Sequence, residues 1–194
     1  MPTGVFLRDA REQLFDAAER VLLRAGPSAL TSRAVTDEAG VAKGVLHRHF
    51  ADFDAFLAEL VRDRIARLER SAATLRAAAG TGTVASNLAT ALTDLFGSIA
   101  VAMITLITFR DGLRARLRTT HPRGVPLLSE AAAMIADYLA AERDLGRLAP
   151  DADLHTLGLT LIGSGHLLSA GDPPPDHAAV HHLVESIIAG AVRR

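Results

Sequence analysis

The 194-residue chain contains no cysteine, no tryptophan and one tyrosine. Without cysteine there is no disulfide, no thiolate nucleophile and no cysteine-bound zinc. Aromatic residues make up 4% while hydrophobic residues reach 49%, an alanine- and leucine-rich balance that favours helices over sheets. An excess of charge is also missing: 21 Lys and Arg face 22 Asp and Glu, for a net −1. No global positive field therefore draws the chain to polyanions, and any nucleic-acid binding has to arise from a local patch. No apolar leader opens the chain, and the most apolar stretches, Ile99–Phe109 and Leu154–Ser169, are too short or too polar to span a bilayer. The expectation is a cytoplasmic protein with no membrane partner. G-x-S-x-G, H-E-x-x-H and glycine-rich phosphate loops are absent, and no spacing suggests a nucleophile–base pair. No catalytic constellation, resident cofactor or metal is expected, and the chain reads as a non-enzyme.

Lysine is almost missing as well, and the one present, Lys43, lies in the most informative segment, TSRAVTDEAGVAKGVLHRHF over residues 31 to 50. Thr31 is placed to cap a helix with its hydroxyl, and Thr36 to bond back to the Ser32 carbonyl. Val35 and Ala39 follow at helical spacing, and Gly40 stands where a left-handed residue closes a helix. A second short helix then carries Leu46 and Phe50 on one side and Lys43, His47 and Arg48 on the other. Two short helices joined by a tight turn, the second with a basic outer face, form a helix-turn-helix suited to the DNA major groove. The candidate DNA contacts are Arg33, Ala42, Lys43, Gly44, Val45, His47 and Arg48. Arg48 has an alternative use, pairing with Asp52 or Asp54.

At these residues the chain resembles the TetR family of bacterial transcriptional regulators, whose hallmark runs A-G-V-S-K-G-T-L-Y-x-H-F. Here the stretch is Ala39-Gly40-Val41-Ala42-Lys43-Gly44-Val45-Leu46-His47-Arg48-His49-Phe50. The resemblance extends from about residue 8 to about residue 65. Ala42, Val45 and His47 replace serine, threonine and tyrosine, and Phe53 stands where many relatives carry lysine, which subtracts phosphate contacts. The resemblance implies an all-α chain of about nine helices. A three-helix DNA-binding head over residues 1–52 would join, through a long fourth helix, a ligand-binding and dimerisation domain over residues 53–194.

Periodicity fills in the rest. A first helix runs from about Arg8 to Ala25, stopped by Gly26-Pro27, and a long fourth helix starts at Asp52 and continues toward Ala79. Residues 84 to 119 read as one or two helices, kinked near Gly97 and interrupted near Arg110–Gly112. Further helices span residues 126 to 145, from Asp151 or Asp153 to Ser169, and from Asp176 onward. The helix ending at Ser169 is apolar nearly all round, so something must cover it. Pairing of the last two helices with those of a second copy, through Leu157, Leu161, Val180, Leu183, Val184, Ile187 and Ile188, would supply that cover and make a homodimer.

Polar residues scattered among apolar stretches suggest a cavity for a small molecule. Its candidates are Asn87, Thr90, Asp94, Thr105, Phe109, Tyr138 and His166, for an apolar or amphipathic effector. His155 and His166 read first as core histidines. His177, His181 and His182 have metal-like spacing but read as surface or dimer-rim residues. The run Arg110, Arg114, Arg116, Arg118 and Arg123 reads as a solvated helix, with attraction for an anionic ligand as the alternative. The expected activity is that of a ligand-responsive transcriptional repressor, bound as a homodimer to a palindromic DNA operator and released by the effector. The alternative is a helical small-molecule- or protein-binding module with weak or lost DNA binding.

Overall fold

The computed structural model describes residues 3–97, 99–122 and 124–193. Among the described residues there are ten α-helices: α1 Thr3–Ala25, α2 Ser32–Glu38, α3 Gly44–His49, α4 Phe53–Ala77, α5 Val84–Phe96, α6 Ala100–Phe109, α7 Asp111–Leu117, α8 Leu128–Asp144, α9 Leu154–Ser169 and α10 His177–Ile188. No strand forms among them, and a single isolated bridge joins Leu148 to Val192. The stretch expected to be one or two helices is three, because Gly97 ends α5 and Arg110 breaks the chain between α6 and α7. The chain divides into two compact units, Met1–Asp63 with Ala102–Arg123, and Arg64–Val101 with Gly124–Arg194.

Local chemistry sets the helix ends. The side chains of Thr31, Asp153 and Asp176 accept from Ala34, Thr156 and Ala179 N–H at 3.1, 3.0 and 2.8 Å. Asp52 Oδ1 does the same for Ala55 N–H at 2.8 Å, at the start of α4. Each such cap satisfies an N–H that the helix itself leaves unbonded. Gly40, at φ 66°, closes α2 in the left-handed region, where a side chain would cost roughly 1–2 kcal/mol.

In the first unit α1 packs on α2 and buries Leu14, Ala18, Val21 and Leu22. Phe15, Phe50 and Phe56 make a ring cluster, with centroids 6.0, 5.6 and 5.1 Å apart. In the second unit α8 packs on α9, and α10 on α5 and α9. Gly158 lets α9 approach α8 so closely that a Cβ there would lie 2.7 Å from the Ala132 carbonyl oxygen.

The same unit buries a polar network. Glu142 is 0% exposed, and its carboxylate accepts from the Tyr138 hydroxyl at 2.5 Å and pairs with Arg147 at 3.2 Å. Asn87 donates to the Tyr138 oxygen at 3.0 Å and to the Thr81 carbonyl at 2.9 Å. Gly80 N–H donates to Glu142 at 3.3 Å, and Arg147 donates to the Gly82 carbonyl at 2.6 Å. A charge this deep is tolerable because several donors replace the lost water. The network ties the α4–α5 turn to the end of α8.

Two consequences are measurable. Gly158→Ala forces α8 and α9 apart and lowers unfolding free energy by about 1–3 kcal/mol, read as a reduced urea midpoint. Burial, reinforced by the bond to Glu142, holds the Tyr138 phenol well above its ordinary value of about 10. A group raised in the folded state gives stability that is complete below the unfolded value and is lost as pH climbs past it. Because Tyr138 is the only tyrosine and tryptophan is absent, phenolate absorbance reports it alone. That signal should rise only together with alkaline unfolding, well above pH 10.

Candidate nucleic-acid interface

The helix-turn-helix forms as its sequence predicts. Thr36 donates its hydroxyl to the Ser32 and Arg33 carbonyls at 3.1 and 3.0 Å, as the spacing anticipated for Ser32. Glu38, at the end of α2, is gripped from α1 by Arg20 at 2.7 Å and Arg24 at 2.8 Å. Those two guanidinium hydrogen bonds, Arg20 first, hold its carboxyl below the ordinary carboxylate range. The angle between α1 and α2 is thereby fixed by charge as well as by packing.

At six residues, α3 is too short to be stable alone. Its inner side supplies the stability: Leu46 is 0% exposed, and Phe50, which ends it, is 5% exposed within the ring cluster. Burying two such side chains contributes roughly 3–6 kcal/mol. With those fixed, helical geometry turns Lys43, Gly44, His47 and Arg48 to solvent, with Ala42 exposed just ahead of them and Val45 half-buried. A Cβ built on Gly44 meets nothing within 4 Å, so the backbone there is open to close approach. No side chain caps α3, whose N-cap position is held by Lys43. Arg33 is exposed on α2, 3.6 Å from Asp37, which offsets part of its charge.

Asp52 and Asp54 are not taken by Arg48, the alternative partner. Arg116 of α7 pairs with Asp52, and Arg110 pairs with Asp54 at 2.5 Å while its guanidinium lies 5.1 Å over the Phe53 ring. Part of the arginine run thus pairs within the head's own unit, on a helix that is solvated as expected, with Arg114 and Arg116 in its last turn and Arg116 and Arg118 exposed. No spacing rule links residues 52 and 116, so the sequence carried no signal for this. Arg114 pairs with Asp111 within α7, Arg118 is exposed, and Arg123 lies outside the described residues.

The candidate effector residues are divided between the two units, and those of the second unit do not share one lining. Asn87 and Tyr138 meet each other, but inside the polar network around Glu142. Thr90 and Asp94 face solvent, because α5 turns Val84, Leu88, Leu92 and Phe96 inward. Phe109 is 82% exposed at the end of α6, and Thr105, half-buried on that helix, belongs with it to the first unit. His166 packs its ring 5.9 Å from Phe96, and its buried Nδ1 has no hydrogen-bond partner. Thr93, on the Phe96 helix, likewise leaves its buried hydroxyl unpartnered. His155, expected in the core, is exposed. Glu142 was missed, although its place four residues after Tyr138 on an apolar helix face was the available signal.

The candidate dimer residues divide. Leu161, Val180, Val184 and Ile188 are at most 4% exposed, already covered by neighbouring helices of their own unit. Leu157, Leu183 and Ile187 are half-buried. The outward side of α9 is instead formed by Leu159, 50% exposed, Gly163, and Leu167, 77% exposed. The phase of the apolar stripe could not reveal this, since α9 is apolar on both sides. His181 lies 3.5 Å from Glu185 and 3.4 Å from Ser86. Among the described residues no group of three or more His, Asp or Glu is arranged to hold a metal ion. Nor is any single helix among them long and apolar enough to cross a membrane.

Residues 14–60 match the bacterial regulatory proteins of the tetR family, a segment that contains both helices of the helix-turn-helix and the start of α4. No curated relative matches the chain. Among solved structures, similarity runs nearly end to end. A member of the TetR family from Streptomyces coelicolor is 23% identical, with TM-score 0.63 and coverage of 92% of this chain and 97% of that one. FadR from Bacillus subtilis, solved with stearoyl-CoA, is 19% identical, with TM-score 0.66 and coverage of 92% and 98%. NalD from Pseudomonas aeruginosa, the secondary repressor of the MexAB-OprM multidrug efflux pump, is 18% identical, with TM-score 0.63 and coverage of 97% and 98%. Identities at this level speak for the fold alone, which this chain shares with those regulators, while residues 14–60 carry the sequence signature of the tetR-family regulatory proteins.

Proposed function

We propose that this protein is a ligand-responsive transcriptional repressor that binds a palindromic operator as a homodimer, one α3 in each major groove. The observation that carries this reading is the two-sidedness of α3. Leu46 and Phe50 lock one side into the core, while Lys43, Gly44, His47 and Arg48 stand exposed on the other. Gly44 admits the backbone close to the groove, and Val45 is placed to touch a thymine methyl. Lys43, Arg48 and Arg33 would supply phosphate or base contacts.

For the dimer, the outward side of α9 supports pairing with a second copy. Leu159 and Leu167 offer apolar area, and Gly163, with nothing within 4 Å of its Cβ position, permits close helix approach. The two-fold axis would then space the heads about one DNA turn apart. The stearoyl-CoA bound by FadR and the repressor role of NalD support an effector-released repressor. An apolar or amphipathic effector in the C-terminal domain would act through α4 by binding the two head spacings with different affinity. In that domain the His166 Nδ1 and the Thr93 hydroxyl are two buried polar atoms without a hydrogen-bond partner among the described residues.

A second reading, a helical binding module with lost DNA affinity, is favoured by the missing side-chain cap at α3 and by seven Arg and Lys against six Asp and Glu over residues 1–50. Selection of genomic fragments by the purified protein separates the two. An enriched palindrome supports the repressor, and its absence favours the module. Lys43→Ala should weaken binding to every duplex and flatten the salt dependence by about one phosphate contact per head; an unchanged slope in a fluorescence titration would remove Lys43 from the interface. Leu167→Glu, at an exposed site, should convert the dimer to a folded monomer in analytical ultracentrifugation, and persistence of the dimer would place the interface elsewhere.

A further inference from the structure

Residues 1–63, which contain α3, carry eight Arg and Lys against ten Asp and Glu. Taken alone, that segment repels a polyanion. Residues 102–122 fold into the same compact unit and bring it to twelve cations against eleven carboxylates. The sign of the field around the head is thus set by a segment some fifty residues beyond the helix-turn-helix.

The added charge is placed at two points. Asp52 and Asp54 follow His49, the last residue of α3, by three and five positions. Asp52 is required where it stands, because its Oδ1 caps the Ala55 N–H of α4. Asp54 lies in the first turn of α4, where a carboxylate complements the helix dipole. What helps α4 begin therefore puts two negative charges beside the surface proposed to meet phosphates. Arg116 pairs with Asp52, and Arg110 with Asp54 at 2.5 Å, braced over Phe53. Gly112 gives α7 the room to come this near, since a methyl there would collide with the Asp54 carboxylate. Arg116 and His49 line the same cleft of about 410 Å³.

We infer that Arg116 and Arg110 are positioning residues for DNA binding: they cancel the two carboxylates at the start of α4, so that α3 presents its cations without an opposing charge. The inference rests on the DNA-binding reading above. Exposed ion pairs add little to folding stability, and Arg116 and Asp52 are 44% and 50% exposed. The pair's effect should accordingly appear in binding rather than in melting.

The test uses the full-length protein and a fluorescein-labelled random-sequence duplex long enough for two heads, at low and at physiological salt, with melting measured for each variant. Arg116→Ala should bind about fivefold more weakly at low salt and lose most of that deficit at physiological salt, where screening acts within about 8 Å. Adding Asp52→Asn in the Arg116→Ala background should restore affinity, because asparagine keeps the cap and removes the charge. Arg116→Ala binding like the wild type would overturn the proposal. So would a double variant that stays as weak as Arg116→Ala, which would mean a direct phosphate contact or a purely structural brace. If the wild type itself binds no duplex even at low salt, the DNA-binding reading fails, and this proposal with it.

Discussion

Everything the head can do depends on two buried side chains. A helix of six residues has no stability of its own, so α3 exists because Leu46 is fully buried and Phe50 is held between the rings of Phe15 on α1 and Phe56 on α4. Their burial does more than stabilise. Helical periodicity converts the direction of the buried pair into the direction of the exposed set, so anchoring Leu46 and Phe50 aims Lys43, His47 and Arg48. Arg11, stacked 4.8 Å over the Phe50 ring, and the rings of Phe15 and Phe56 narrow the freedom of that anchor further.

Charge is the second constraint, and in this chain it acts locally. With a net of −1 over 194 residues, no long-range attraction is available. Acidic groups are instead consumed one at a time by arginine: Glu38 by Arg20 and Arg24, Asp52 by Arg116, Asp54 by Arg110, and buried Glu142 by Arg147. The planar, multiply donating guanidinium suits this work better than an ammonium. That preference gives the near-absence of lysine a structural counterpart.

Short-range features were legible in the amino-acid sequence. The caps at Thr31, Asp52, Asp153 and Asp176, the left-handed Gly40 and the back-bond from Thr36 to Ser32 each depend on groups within four residues of one another. The outer side of α3 was legible for the same reason. Contacts set by tertiary packing were not: Arg116 meets Asp52 across 64 residues of chain, and no periodicity encodes that meeting. Of the candidate effector residues, Thr90 and Asp94 share α5 with a strong inward stripe that turns them outward. Val180, Val184 and Ile188, expected at a dimer interface, are buried within their own chain. A periodic stripe says that a face is hidden, without saying what hides it.

The solitary ammonium side chain has a practical corollary. Reagents that acylate amines ordinarily decorate a protein's surface at many places. In this chain they find one side-chain target, Lys43, exposed at the start of α3. Esters carrying a dye, a spin label or a photo-crosslinker would thus place their one side-chain label on α3 without any engineered residue, apart from the α-amino group, which the lower pH of its ionisation lets one address separately. Protection of the Lys43 amine by a bound duplex would become a footprint with a single side-chain position in it.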